Sequence, residues 1–352
     1  MNDNNDSKTR SFEPVDSTEY KNSQATETRQ KLVMSIFIVI ILILVSFTVL
    51  IFGQIFSKMS ANDPDNNKDQ NITEQKFVQV YKDSEDVHVG NLLLVNETFG
   101  YVYPSSEENI IKVYDFKHNS ENDAQTKITM GGKKYATYSL GSLANSITLD
   151  ETTLRQFNQM MLDYCGTLDL SDLSDDATAS NLNLAWGYSD EETLAEDVSK
   201  LGKTFYDHSL ATTITLQRNS DSAKISESLL KSDFKWIYDN CYKYGFIIRY
   251  PDASEDKTGL NGSERVHLRY IGYEHAYYMN QNGLCLEEYL ELIRTQYTYS
   301  GEHLTFTADN GKSYEVYYVA STGNPTSVSV PEGSNYSISG DNMNGFILTI
   351  TK

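Results

Sequence analysis

Basic residues are scarce in this chain. Lys and Arg number 29 against 49 Asp and Glu, which gives a net charge of −20 over 352 residues. A surface this acidic excludes nucleic acid as a partner, because phosphate binding needs Lys and Arg to displace counterions. Tryptophan is nearly missing, with two residues against 25 tyrosines. Cysteine occurs three times, at Cys165, Cys241 and Cys285, never as a CxxC pair. That spacing excludes a cysteine zinc site. The odd count leaves at least one thiol without a partner in the chain, and all three read as small buried apolar side chains. There is no GxGxxG, no Walker loop, no GxSxG and no internal repeat.

One long run interrupts the polar average. Residues 32–56 carry no charge, and a bilayer needs only about 20 apolar residues for a helix. The run is too long for the core of a cleavable signal peptide and has no small-residue cleavage site. It predicts a single N-terminal transmembrane signal anchor. Arg29 and Lys31 precede it and only Lys58 follows closely, so the positive-inside rule places 1–31 in the cytoplasm and the rest outside. The expectation is a single-pass cell-membrane protein with an extracellular C-terminal part. Residues 1–31 read as a disordered tail and 57–75 as an extracellular stalk.

Beyond the stalk, 76–149 is strand-rich, and alternation around Gly90-Asn91 suggests a hairpin. From Asp150 the period becomes helical. Leu154, Phe157, Met160, Met161 and Tyr164 share a face, with Gly166 as a cap. A second helix follows from Ser189 as N-cap to Gly202, a third ends at Gly245, and a fourth starts near Leu286. The β-branched runs ATTITLQ and GFIIRYP lie between helices without a βαβ rhythm, so 150–296 reads as α+β. Residues 297–352 alternate in short runs with Gly and Asn turns, a small all-β appendage.

The chemistry-bearing stretch is ERVHLRY, residues 264–270, with a glutamate three residues before a histidine. Its surroundings are specific. Tyr244-Gly245-Phe246, Arg249-Tyr250-Pro251, Glu255 with Thr258-Gly259, Glu264, His267, Arg269-Tyr270, Gly272 and Leu286-Glu287-Glu288-Tyr289-Leu290 follow one another in order. This series resembles the C-terminal half of VanY-type D-alanyl-D-alanine carboxypeptidases, in the LAS zinc metallopeptidase family. The similarity extends upstream to about residue 150. It implies a LAS/hedgehog-like peptidase domain, zinc as cofactor, and a peptidoglycan stem peptide as partner.

In such a site, zinc takes three protein ligands and a water, and a carboxylate removes the water's proton. By resemblance, Glu264 is the base and His208 and His267 are ligands. Tyr188, Ser189 and Arg269 lie on the substrate side. Two positions depart from the family pattern. Thr215 stands where the third ligand, an aspartate, belongs. Ser189 stands where an arginine would grip the substrate carboxylate. A hydroxyl is a poor zinc ligand, and serine cannot form a bidentate charge-assisted contact. The reading is a VanY-like protein with impaired or lost hydrolysis that binds cell-wall peptides or an envelope protein. The alternative is an active zinc D,D-carboxypeptidase with a changed ligand set, for which Asp190, Asp207 and Asp221 are the nearby carboxylates. A third reading is a scaffolding ectodomain whose β appendage does the binding. His275 reads as a surface or half-buried helix residue, and the SDLSDD loop at 171–176 as solvated rather than calcium-binding.

Overall fold

The computed structural model describes residues 75–104, 109–141, 145–174 and 177–352. The expected tail, anchor and stalk lie outside the described residues, apart from Gln75. The described chain forms one compact unit from Gln75 to Lys352.

The placement at a cell membrane is corrected here. Among the described residues, no helix is long and apolar enough to cross a bilayer. The helix Glu151–Cys165 has 15 residues, about 22 Å at 1.5 Å per residue, short of the roughly 30 Å of a hydrocarbon core. One face of it is buried and the other carries Arg155, Gln159 and Asp163.

That helix forms as its sequence dictates. Asp150 caps the first turn by accepting from the Thr153 N–H, and Gly166 ends the last. Its buried stripe of Leu154, Phe157, Met160, Met161 and Tyr164 packs against a five-stranded sheet. The strand order is Ser139–Leu140, Leu182–Trp186, Thr213–Arg218, His267–Tyr270, Phe246–Ile248. All neighbours are antiparallel except the first pair. Ile214, Leu216 and Leu268 share the core with the helix stripe. Period-two alternation sends Thr213, Thr215, His267 and Arg269 to the other face.

The third expected helix is divided into helical turns at Glu227–Ser232, Lys235–Asn240 and Cys241–Tyr244. It ends at Gly245, whose φ of 82° suits glycine. The helices Tyr273–Asn282 and Leu286–Gln296 cover a second cluster with Ile247, Ile271 and Val316.

The last block is a sheet ordered Leu304–Thr307, Ser313–Ala320, Gly345–Thr351, Asn335–Gly340. Against it lies a ribbon in which Phe77–Lys82 pairs antiparallel with Thr326–Pro331. Val80, Val328, Val330, Tyr317 and Leu348 fill the space between. The expected hairpin near Gly90 is absent. Residues 84–88 form a 3-10 turn, and Leu92 to Val95 are buried without joining a strand. They are held by long-range bonds, among them Asn342 Nδ2 to the Leu94 carbonyl at 2.8 Å.

Candidate active site

The register of two strands builds the site. His267 is paired with Thr215 and Arg269 with Thr213 across the sheet. These are successive pairs on one face. The turn Lys203–Ser209 crosses that face and presents Asp207 and His208 to them. His208 meets the first pair and Asp207 the second.

The side chains in direct contact with His208 are buried and uncharged. Its Nε2 lies 3.0 Å from Thr215 Oγ1 and 3.1 Å from His267 Nδ1. Thr215 Oγ1 and His267 Nδ1 are 3.4 Å apart. His208 Nδ1 donates to the Gly187 carbonyl at 2.6 Å, which leaves Nε2 as the lone-pair nitrogen. That carbonyl is presented by a strand irregularity between Leu184 and Trp186. Gly187 must be glycine here, since a Cβ would come within 2.5 Å of the Thr148 carbonyl. Phe205 stacks on His208 and meets His267 edge-on, and Tyr250 lies at the far edge of His267. Burial drives the His208 pKa down to about 4, against the Gly187 bond that favours its proton. Burial, and then the neighbouring His208, hold His267 well below the ordinary histidine range. His267 Nε2 is buried without a hydrogen-bond partner among the described residues.

The next pair is the opposite in character. Asp207 Oδ1 accepts from Arg269 Nη1 at 2.8 Å and Arg249 Nε at 3.1 Å, and Oδ2 accepts from Thr213 at 2.7 Å. Arg249 makes a bidentate pair with Glu287 at 2.8 and 2.9 Å. Arg269 also donates to the carbonyls of Asn91 and Leu93. Burial pushes the Asp207 carboxyl up, but the two guanidinium charges outweigh it and hold the pKa below its ordinary value. Arg269, expected on the substrate side, is therefore fully buried and committed to structure.

The other expected residues separate. Glu264 is exposed and lines a cavity of about 330 Å³ with Arg265, Lys224 and Phe205. Ser189 is buried, with Oγ on Asp197 at 2.9 Å and its N–H on the His208 carbonyl. It is not the helix cap. Asp190 takes that role by accepting from the Thr193 N–H. Tyr188 is half-buried at a separate cavity that includes Thr212 and Tyr101. His275 is buried rather than half-exposed, between the Tyr289 hydroxyl and Thr349. The three cysteines are free and buried.

Two of the three donors fit a zinc ion. His208 Nε2 and His267 Nδ1 converge, and the Gly187 carbonyl fixes the ligand tautomer of His208. The third position is a neutral hydroxyl. None of the three nearby carboxylates reaches it: Asp207 binds arginines, Asp190 caps a helix, and Asp221 pairs with Arg218. Among the described residues, no group of three His, Cys, Asp or Glu side chains is placed to hold a metal. The set does not fit a catalytic zinc.

No motif or spacing singles out Arg265. Its guanidinium lies 4.5 Å over the Trp186 ring and 5.3 Å over Phe205. Burial lowers its pKa, and the Asp197 charge opposes that. It brings a positive charge to the Phe205 side of the histidines.

The fold is a mixed α+β one. Residues 190–273 match the family model described as VanY, D-alanyl-D-alanine carboxypeptidase. Over that segment the chain is similar to VanY-type D-alanyl-D-alanine carboxypeptidases. A D-alanyl-D-alanine carboxypeptidase of Enterococcus faecium is 29% identical over 292 residues, 81% of this chain and 80% of that protein. The solved vancomycin-resistance D,D-dipeptidase VanXYg, in complex with a D-Ala-D-Ala phosphinate analog, aligns with TM-score 0.60 at 20% identity. It covers 79% of this chain and all of that one, and shows the shared fold. A solved VanY D,D-pentapeptidase in complex with Zn(II) aligns with TM-score 0.35 at 21% identity, over 57% of this chain and 98% of that one.

Proposed function

We propose that this VanY-type chain binds peptidoglycan stem peptides ending in D-Ala-D-Ala without hydrolysing them through zinc. The observation that carries the reading is Thr215. It is fully buried between His208 and His267 and within hydrogen-bond reach of both. A carboxylate there would supply the charge that offsets part of the metal's. A hydroxyl supplies none and instead joins a neutral hydrogen-bonded set.

The cavity beside Phe205 suits the peptide's end. Arg265 and Lys224 give it two cations for a terminal carboxylate, and Arg265 is oriented by its stacking on Trp186. It would thus supply the guanidinium that Ser189 does not. Glu264 on the same rim is suited to an amide N–H.

One observation favours a second reading, zinc hydrolysis with an altered ligand set: the convergent, ligand-ready lone pair of His208. Metal content decides between them. The full chain is purified, bound zinc is measured by mass spectrometry, and release of D-Ala from a D-Ala-D-Ala pentapeptide is followed beside peptide binding. The expected result is saturable peptide binding with no stoichiometric zinc and no D-Ala. Arg265→Ala should weaken that binding about tenfold, as loss of a charge-assisted pair does. About one zinc per chain, lost in His267→Ala and accompanied by D-Ala release, would overturn the proposal.

A further inference from the structure

We infer a docking groove for an extended apolar peptide with basic ends, at the open edge of the five-stranded sheet. Phe246–Ile248 is the last strand of that sheet and has a neighbour on one side only. Ile271 donates its N–H to the Gly245 carbonyl and Arg249 to the His267 carbonyl, each at 2.9 Å. These bonds fix the ladder: Gly245, Ile247 and Arg249 face the neighbouring strand, and the alternate residues face away. The N–H and C=O groups of Phe246 and Ile248 are therefore directed outward, where they meet no hydrogen-bond partner among the described residues. Main-chain groups are rarely left so.

That edge opens into a cavity of about 430 Å³. One wall is Tyr238 and Cys241, packed with the core under the sheet. The other is Ala276, Met279 and Leu284, packed with the second cluster. The cavity thus occupies the place of one further strand between two covering layers. The edge itself has no proline, lysine or bulge to blunt it, and is guarded only by its recess. A recess of this kind admits a single extended segment and keeps out the broad edge of another sheet.

Charge selects the ends of that segment. Glu227, Asp239 and Glu288 line the cavity, against Lys231 alone among the described lining residues. Lys231 is committed to Glu227 at 2.5 Å. The cationic partners of Asp239 and Glu288 lie outside the cavity and are exposed, Lys235 at 2.7 Å and Lys257 at 3.7 Å. Exposed pairs are weak and exchange readily. Two rim carboxylates are thus open to the cations of a ligand, and the net charge of −20 draws basic partners toward them. A basic-ended apolar segment meets all three features: main-chain groups for the edge, apolar side chains for the walls, cations for the rim. The groove shares no lining residue with the cavity of Glu264 and Arg265, so the inference stands apart from the preceding proposal.

The test is calorimetric titration of the full chain with acetyl-Lys-Val-Ile-Val-Lys-amide, a pentapeptide with both termini blocked. Saturable binding is expected, and the counterpart with glutamate at both ends should bind about tenfold more weakly. Alternate N–H groups of an added strand face the sheet edge. Of two N-methylated forms, one modified at both valines and one at the isoleucine, one should lose about tenfold and the other should bind nearly as well as the unmodified peptide. Ala253→Trp puts a large ring at the exposed mouth of the groove and should abolish binding. Asp239→Asn should weaken it about threefold. Thermal melts of the variants check that the fold is kept. No saturable binding, an equal response to both N-methylated forms, equal or tighter binding of the glutamate-ended peptide, or binding indifferent to Ala253→Trp would overturn the inference. A dimer in sedimentation that Ala253→Trp dissociates would give the groove to a second copy and overturn it as well. Ala253→Trp should leave binding of the D-Ala-D-Ala pentapeptide unchanged, so the two proposals fail separately.

Discussion

Asp207 and His208 are neighbours in sequence, and they organise two buried pockets of opposite kind. The Asp207 pocket has two arginines and two carboxylates joined by hydrogen bonds, with Arg269 Nε left without a partner among the described residues. The His208 pocket has two neutral imidazoles and a hydroxyl. In a zinc hydrolase the charge belongs in the second pocket. Here the buried charge serves architecture, tying the turn 203–209 to two strands and to the helix Leu286–Gln296. The comparison separates what holds a site in place from what makes it react.

The largest effect should come from breaking the charged pocket. Asp207→Asn leaves two buried guanidinium groups without their shared partner and should cost about 3–5 kcal/mol, read by denaturant unfolding. Adding charge to the neutral pocket should also destabilise. Thr215→Asp buries a carboxylate among neutral groups and should lower stability by roughly 2–4 kcal/mol in a chelator. Zinc should recover that loss in this variant, while leaving the parent melt unchanged. A variant melt indifferent to zinc would mean the histidines cannot close around an ion.

Acid sharpens the contrast. His208 titrates near 4 in the folded chain and near 6.5 when unfolded. Between those values the unfolded state binds the extra proton, so stability is full above about pH 6.5 and falls as pH drops toward 4. Between pH 7 and 5, His208 alone should remove about 2 kcal/mol, with His267 and buried His275 acting in the same direction. The Asp207 pocket should be silent in that window, because its carboxyl is already ionised above its lowered pKa. An unfolding midpoint flat from pH 7 to 5 would contradict the buried neutral histidines. The smallest change is Thr215→Val, which removes a hydroxyl at nearly constant shape and should cost about 1 kcal/mol.

Much of this was readable in the sequence, and the misses have physical causes. The helix Glu151–Cys165 was legible because periodicity, cap and terminator agree. His208, Thr215 and His267 could be singled out only through the resemblance to VanY-type motifs, and the structure brings them within hydrogen-bond reach of one another. Arg269 could not be placed by the same means. An arginine in a strand is equally consistent with substrate and with a buried partner, and Asp207 lies 62 positions away. The Leu92–Val95 segment looked like a strand from its alternation, but side chains from Asn342 and Arg269 satisfy its backbone instead. Arg265 was missed because its role depends on the ring faces of Trp186 and Phe205, which only the tertiary fold brings beneath it.

The ribbon that joins Phe77–Lys82 to Thr326–Pro331 also sets a clock. Gln79 and Ser329 are 250 positions apart. During synthesis at roughly 5–20 residues per second, the first strand waits ten seconds to a minute for its partner to be made. Through that interval it is an unpaired edge carrying Phe77, Val78 and Tyr81. A nascent chain halted before residue 326 should keep that edge open and depend on chaperones, although every residue of the histidine pocket has already been synthesised.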